Sequence, residues 1–247
     1  ESGMMSVTGE ENGVPMKMGT AISDFLAGLY GALGALAALR HRDKTGEGQY
    51  IDVSMLGSLI SVFETNIAEW TVLGMRENRP GNRRSAAAPS NIFMTRTGYI
   101  YIAAFFDRYW RSLCKVMGRE DFLRDAGLAT GQQRKARERE IEDAIKGWLR
   151  DKTADEAVAV LDRYDIPCAF VNTIEQMAAK YPERLLSFDY PGIGKFTMSK
   201  FPVDFSTIDT APSRRPPLLG EHNREILCDI LHRSAGEYQA LVDDKII

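Results

Sequence analysis

Residues 19–52 read GTAISDFLAGLYGALGALAALRHRDKTGEGQYID, and no other stretch limits the possible folds as much. Residues 25–39 carry no polar side chain except the Tyr30 hydroxyl, Asp24 precedes them, and His41, Arg42 and Lys44 follow. Acid before and base after is the order that a helix dipole favours. Ser23 is expected to cap this helix, which puts Asp24 in its first turn. Ala27, Gly28, Gly31, Gly34, Ala35 and Ala38 recur at spacings of three and four, a flat face that another backbone can approach closely. Each glycine weakens a helix by about 1 kcal/mol relative to alanine, so three of them imply a packing demand. A bilayer span needs about 20 apolar residues. This run has 15 before the charges begin, so no membrane segment is expected.

A polar turn with two glycines follows over residues 44–49. Residues 50–53 read as a short strand and residues 55–73 as a second helix. Helix, glycine turn, strand and helix together point to an α/β layer. In the second helix Leu56, Leu59, Ile60, Phe63, Ile67 and Trp70 lie at helical spacing and are expected in a core.

The rest of the chain alternates in the same way. Residues 99–105 read as a strand, 109–117, 135–149 and 153–164 as helices, and 166–171 as a strand. Residues 182–205 suggest short strands and turns, 212–217 an extended linker and 221–231 a closing helix. Asp155 and Glu156 fall in a first turn and are read as a solvated face. Residues 74–89 form a basic loop with Arg76, Arg79, Arg83 and Arg84, read first as solvated and secondly as able to meet phosphates.

Composition removes several function classes. With 31 basic and 34 acidic residues the net charge is −3, which gives no sign of nucleic-acid or membrane-surface binding. Cys114, Cys168 and Cys228 are far apart, odd in number and without a CxxC, so neither a metal site nor a disulfide framework is supported. A reducing, cytoplasmic setting is expected. No Gly-x-Gly-x-x-Gly, P-loop or ordered hydrolase triad is present. His222, like His41 and His232, is read as structural or exposed.

Taken alone, Asp24 reads as an ordinary helix-start carboxylate. The motifs around it change that reading. The segment SDFLAG, then ALGALAALRHRDKTGEGQYIDVSML, resembles the family III CoA-transferases, the formyl-CoA transferase and carnitine CoA-transferase group. Gly81-Asn82 before a Pro-containing stretch, Asp165-Ile166-Pro167-Cys168, and Arg215-Pro216-Pro217-Leu218-Leu219-Gly220-Glu221-His222 match further elements in order. Together they cover nearly the whole chain.

The resemblance implies an α/β fold: part of a Rossmann-like large domain plus a small α/β domain. Residues 1–75 would be the C-terminal half of the large domain and 76–90 a linker and active-site loop. Residues 91–200 would be the small domain and 201–247 a return segment. It implies that a sizeable N-terminal region precedes Glu1 in the family, so that this chain is a fragment, inactive by itself. It also implies an interlocked homodimer. The implied substrates are an acyl-CoA and a carboxylic acid, with coenzyme A bound as substrate and no permanent cofactor.

By resemblance Asp24 becomes the nucleophile, and Met55 lies near the CoA, though core packing is an equal reading. Ala86, Ala87 and Ala88 stand where the family has a mobile glycine loop over the active site. Alanine lacks glycine's access to positive φ, which puts that mobility in doubt. Glu47, Gln49 and Asp52 are weaker candidates. The alternative on the same fold is α-methylacyl-CoA racemase activity. That would pair the aspartate with an upstream histidine and a glutamate just after a strand of the second domain. Here that neighbourhood reads Ala104-Phe105-Phe106-Asp107, with no glutamate. A non-catalytic fragment or partner subunit is the third reading.

Overall fold

The apolar run grows into a helix longer than its composition suggested. In the computed structural model, which describes residues 1–74, 79–210 and 214–247, helix α1 spans Ile22–Thr45, 24 residues. It continues through His41 and Arg42 and stops at Gly46, whose φ of 80° only glycine adopts without strain. The expectation of a run too short for a bilayer is therefore corrected: by length and composition alone, this helix could cross one. The N-cap is Ala21, not Ser23, with no side-chain cap. Because the helix starts earlier, Ser23 lies inside its first turn and its hydroxyl donates to Asp24 Oδ2 at 2.9 Å.

Residues 50–53 form no helix and pair with no strand among the described residues, so the expected strand is corrected to a connector. Ile51 is what uses the small-residue face of α1. A Cβ on Gly34 would lie 3.2 Å from Ile51 Cγ2, whereas Gly28 and Gly31 face open space. The single expected helix after it is broken. Ser54 caps α2 (Met55–Ile60), a 3₁₀ turn covers Ser61–Phe63, and α3 (Glu64–Leu73) ends at Gly74 with φ 64°. Tyr30 Oη and Ser61 Oγ, 2.8 Å apart, tie α1 to that turn. Phe63 is buried, but Leu56, Ile60, Ile67 and Trp70 are exposed, contrary to the core expected of them. Their spacing is helical, yet of this stripe only Phe63 is buried.

The core lies further along. Strands β1 (Ser90–Met94), β2 (Tyr99–Ala103) and β3 (Cys168–Phe170) form an antiparallel sheet in that order. Phe93 pairs with Ile100 and Ile100 with Phe170, which sets apolar side chains abreast. Helices α4 (Asp107–Met117), α5 (Glu120–Arg124), α6 (Gly131–Ala136), α7 (Glu138–Leu149) and α8 (Ala154–Arg163) accompany it. Trp110, Leu113, Ile141, Ile145, Leu149 and Leu161 from α4, α7 and α8 are buried with Ile100 and Ile102. The helix expected over 135–149 is two helices, because Arg137 leaves helical geometry between them. Asp165 takes φ 53°, a left-handed position that explains why a glycine or aspartate suits the start of the Ile-Pro-Cys element.

Packing divides the chain into two units, Glu1–Val171 and Asn172–Ile247. The second holds α9 (Ile174–Lys180), the hairpin β4 (Leu185–Tyr190) and β5 (Gly194–Ser199), a π-helical turn at Glu225–Ile230 and α10 (Ala235–Asp243). The closing helix expected over 221–231 is thus shortened to residues 223–230. Arg76 and the start of the expected 212–217 linker lie outside the described residues. The chain is mixed α/β, as expected. The Rossmann-like detail is not itself seen, since residues 1–74 contribute no paired strand among the described residues.

Candidate active site

Asp24 is exposed in the first turn of α1, where backbone N–H groups lack intrahelical partners. Its own N–H donates to Ala21 O at 3.2 Å. Beside it, residues 1–6, Pro15, residues 17–23 and Leu59 line an open cleft of about 770 Å³. Met4, Met5, Met18, Ile22 and Leu59 give it apolar walls, and Lys17 is the one lysine or arginine among the described residues that line it. Ser23 reaches this cleft; Asp24, Met55, Ala86, Ala87 and Ala88 do not line it. Met55 is exposed at the first position of α2. Glu47, Gln49 and Asp52 are exposed beyond the end of α1.

The alanine segment is built differently from a mobile loop. Ala86 is exposed, Ala87 half-buried and Ala88 fully buried. The Ala88 N–H donates to Gly131 O at 3.2 Å, and its carbonyl accepts from Arg134 Nε at 2.9 Å. Pro89 O accepts from Ala104 N–H at 3.0 Å.

Within the basic loop, Arg79 and Arg83 depart from the solvated reading, while Arg84 is exposed. Arg79 donates from Nε (3.1 Å) and Nη2 (2.5 Å) to Gly13 O, which fixes the loop before α1. Arg83 grips Glu142 with Nε on Oε1 at 2.7 Å and Nη2 on Oε2 at 2.9 Å, and reaches Glu11 with Nη1 at 3.1 Å. Arg84 lies over the Phe105 ring, 4.8 Å from its centroid. The hydrogen bond from Arg83 to Glu142 holds the guanidinium above its usual value. Burial pushes Glu142 up, but hydrogen bonds from Arg83 and Asn91 outweigh it and keep the carboxyl below its usual range.

Arg134, Glu138 and Glu142 were not singled out in the sequence. Arg134 falls outside the helix expected over 135–149, and the two glutamates lie within it. Two signals could have found them. Thr130 and Gln133 form a capping box that starts α6 earlier. Glu138, Ile141, Glu142, Ile145 and Leu149 share one buried stripe at spacings of three and four. Glu156 is likewise not merely solvated, since with Thr153 it makes the capping box of α8. Asp107, the acid nearest the position a racemase glutamate would take, pairs with Arg134 Nη2 at 2.8 Å. In the second unit the closing motif is clasped by Arg215, whose Nη1 and Nη2 meet the Glu221 carboxylate at 2.8 and 2.7 Å. His222 Nδ1 lies 3.0 Å from Glu225 Oε2.

The comparisons with known proteins agree with one another. The chain is 30% identical over 250 residues to a succinyl-CoA–D-citramalate CoA-transferase of Chloroflexus aurantiacus, which covers 99% of the chain and 62% of that protein. It is 33% identical over 232 residues to a succinyl-CoA:mesaconate CoA-transferase of Haloarcula marismortui, covering 91% of the chain and 57% of that protein. The chain thus spans about six tenths of the length of these curated relatives. A crystal structure of a CaiB/BaiF family protein from Brucella suis superposes with a TM-score of 0.77 at 26% identity, over 93% of the chain and 60% of that structure. The family model described as CoA-transferase family III matches residues 1–223 of the 247. The chain therefore belongs to CoA-transferase family III.

Proposed function

We propose that the protein to which this chain belongs moves coenzyme A from an acyl-CoA to a carboxylic acid, with Asp24 as its nucleophile. The observation that carries this reading is the exposed Asp24 in the first turn of α1, within a chain matched to the family over residues 1–223. The Asp24 carboxylate attacks the thioester carbonyl, the C–S bond breaks and CoA leaves as thiolate, giving an acyl-aspartyl anhydride. The thiolate then attacks the aspartyl carbonyl and releases the donor acid, leaving an aspartyl-CoA thioester. The acceptor carboxylate displaces CoA through a second anhydride, whose acyl group the thiolate removes, and Asp24 returns as carboxylate. The helix N-terminus would stabilise the oxyanions formed at these steps.

Met55, Ala86, Ala87 and Ala88 are proposed as contacts to the acyl-CoA. The relatives named above act with succinyl-CoA, which favours a dicarboxylic acid here too, with no permanent cofactor. Residues 1–75 are proposed as part of a Rossmann-like large domain, 76–90 as linker, 91–200 as small domain and 201–247 as a segment returning to a homodimer partner. That partner, rather than lipid or nucleic acid, is proposed to share the apolar surface. The free thiols at Cys114, Cys168 and Cys228 suit a cytoplasmic setting. The racemase reading is weaker, because Asp107 is engaged by a buried arginine rather than free as a base.

Intact-mass analysis of the full-length protein with succinyl-CoA and hydroxylamine tests the nucleophile. A hydroxamate at Asp24 that disappears in Asp24→Ala is expected. An unchanged adduct in that variant would sink the assignment. Exchange of an α-proton in deuterated water without acyl exchange would instead establish the racemase.

A further inference from the structure

Arg134 is fully buried, and among the described residues its carboxylate partner is the half-exposed Asp107. A charge in the interior costs several kcal/mol unless it is paired and hydrogen-bonded, and a leucine or methionine would fill the same volume more cheaply. Here all five N–H donors of the guanidinium are used. Nε donates to Ala88 O at 2.9 Å; Nη1 donates to Leu128 O at 3.0 Å and Ala129 O at 3.1 Å. Nη2 donates to Phe105 O at 2.7 Å and Asp107 Oδ1 at 2.8 Å. Four of these acceptors are backbone carbonyls, drawn from the alanine segment, the exit of β2 and the turn before α6. No hydrophobic side chain could join three chain segments in this way.

The neighbours close the remaining freedom. Ala88 is held on both sides, by Gly131 O at its N–H and by Arg134 at its carbonyl. A Cβ on Gly131 would stand 3.1 Å from Ala87 Cβ and 3.0 Å from Phe105 O, so α6 approaches the segment as closely as a glycine permits. What stays exposed is Ala86. We propose that Arg134 is a positioning residue of the acyl-CoA site, holding Ala86, Ala87 and Ala88 as a fixed wall rather than a mobile loop. This rests on the reading of those alanines as acyl-CoA contacts. Lysine has a single ammonium and three donors, so it cannot reproduce the planar, three-segment grip.

The test compares Arg134→Lys with Ile145→Val in the full-length protein, at a temperature where unfolding curves show both folded. Ile145 is buried in the same core and has no polar atom to hold the wall. In Arg134→Lys the peptide carrying residues 84–90 is expected to exchange amide hydrogens at least about tenfold faster, and in Ile145→Val at the wild-type rate. The KM for succinyl-CoA is expected to rise about tenfold in Arg134→Lys, with kcat within about twofold, the pattern of lost uniform binding. Unchanged exchange in Arg134→Lys would overturn the positioning role while leaving the loop's contact with acyl-CoA standing. Faster exchange with an unchanged KM would remove the alanines from the acyl-CoA site and overturn the proposal through the reading it rests on. Should Arg134→Lys not fold, Gly131→Ala keeps Arg134 and crowds Ala87 instead. The same rise in KM is then expected, and an unchanged KM overturns the wall.

Discussion

Glu142 is almost wholly buried, and its charge is tolerable because Arg83 meets it with two nitrogens and Asn91 Nδ2 donates at 2.7 Å. Removing one partner strands the other. Arg83→Ala is expected to cost on the order of 3 kcal/mol in denaturant unfolding, and Arg83→Met with Glu142→Leu is expected to recover most of it. The pH dependence has a defined sign. Glu142 is held below its usual range, so its contribution is complete above the ordinary carboxylate range and is lost as pH falls through its depressed value. Thiol labelling checks a second pair of residues. Burial pushes Cys114 up to about 12, and burial with the neighbouring Asp162 pushes Cys168 up to about 12. Neither should react with iodoacetamide at pH 8 at the rate of a free thiol, because the thiolate is the reactive form. Modification at the rate of a model peptide would contradict this.

Elements begin where side chains replace the missing backbone partners. Thr153 Oγ1 accepts from Glu156 N–H at 3.2 Å while Glu156 Oε2 accepts from Thr153 N–H at 2.8 Å, so α8 starts with both donors satisfied. Thr153→Ala is expected to lower unfolding stability by about 1 kcal/mol, and Thr153→Ser by much less. The closing motif depends on a different device. The Arg215 hydrogen bonds, then the Leu218 N–H, hold Glu221 down to about 2. A depressed carboxyl contributes order above its unfolded value of about 4.3 and loses it as pH falls toward the folded one. Hydrogen exchange of residues 214–224 is therefore expected to quicken as pH drops from about 4.3 toward about 2, after correction for intrinsic rates. Glu221→Gln should already exchange fast at neutral pH; equal protection in that variant would remove the clasp.

For the whole molecule the decisive fact is an uncovered surface. Phe25, Leu29, Leu33 and Leu36 on α1 are all more than half exposed, as are Trp70, Val72 and Leu73 on α3. A patch of that kind marks an interface or an aggregation hazard. The chain expressed by itself is expected to self-associate in sedimentation velocity. Leu29→Lys with Leu36→Lys should shift it toward monomer. A monodisperse monomer of the unaltered chain would mean that this face needs no cover.

Periodicity and punctuation carried much of this architecture. The apolar run with small residues determined α1, the Gly46 stop ended it, and alternation over residues 99–103 determined β2, because these signals act between residues a few positions apart. The order of local motifs from Asp24 to His222 likewise carried the family resemblance. Other features depended on distant partners and were decided only by the tertiary structure. Helical spacing placed Ile67 and Trp70 on one face of α3, but spacing cannot say whether anything packs there. Ile51 reads as strand until it is seen to lie on Gly34. Arg83 and Arg134 look like solvent charges in any local window. Their roles come from Glu142, 59 positions away, and from Ala88, 46 positions away. Local sequence records what a residue can pair with, and only the folded chain brings that partner within hydrogen-bond distance.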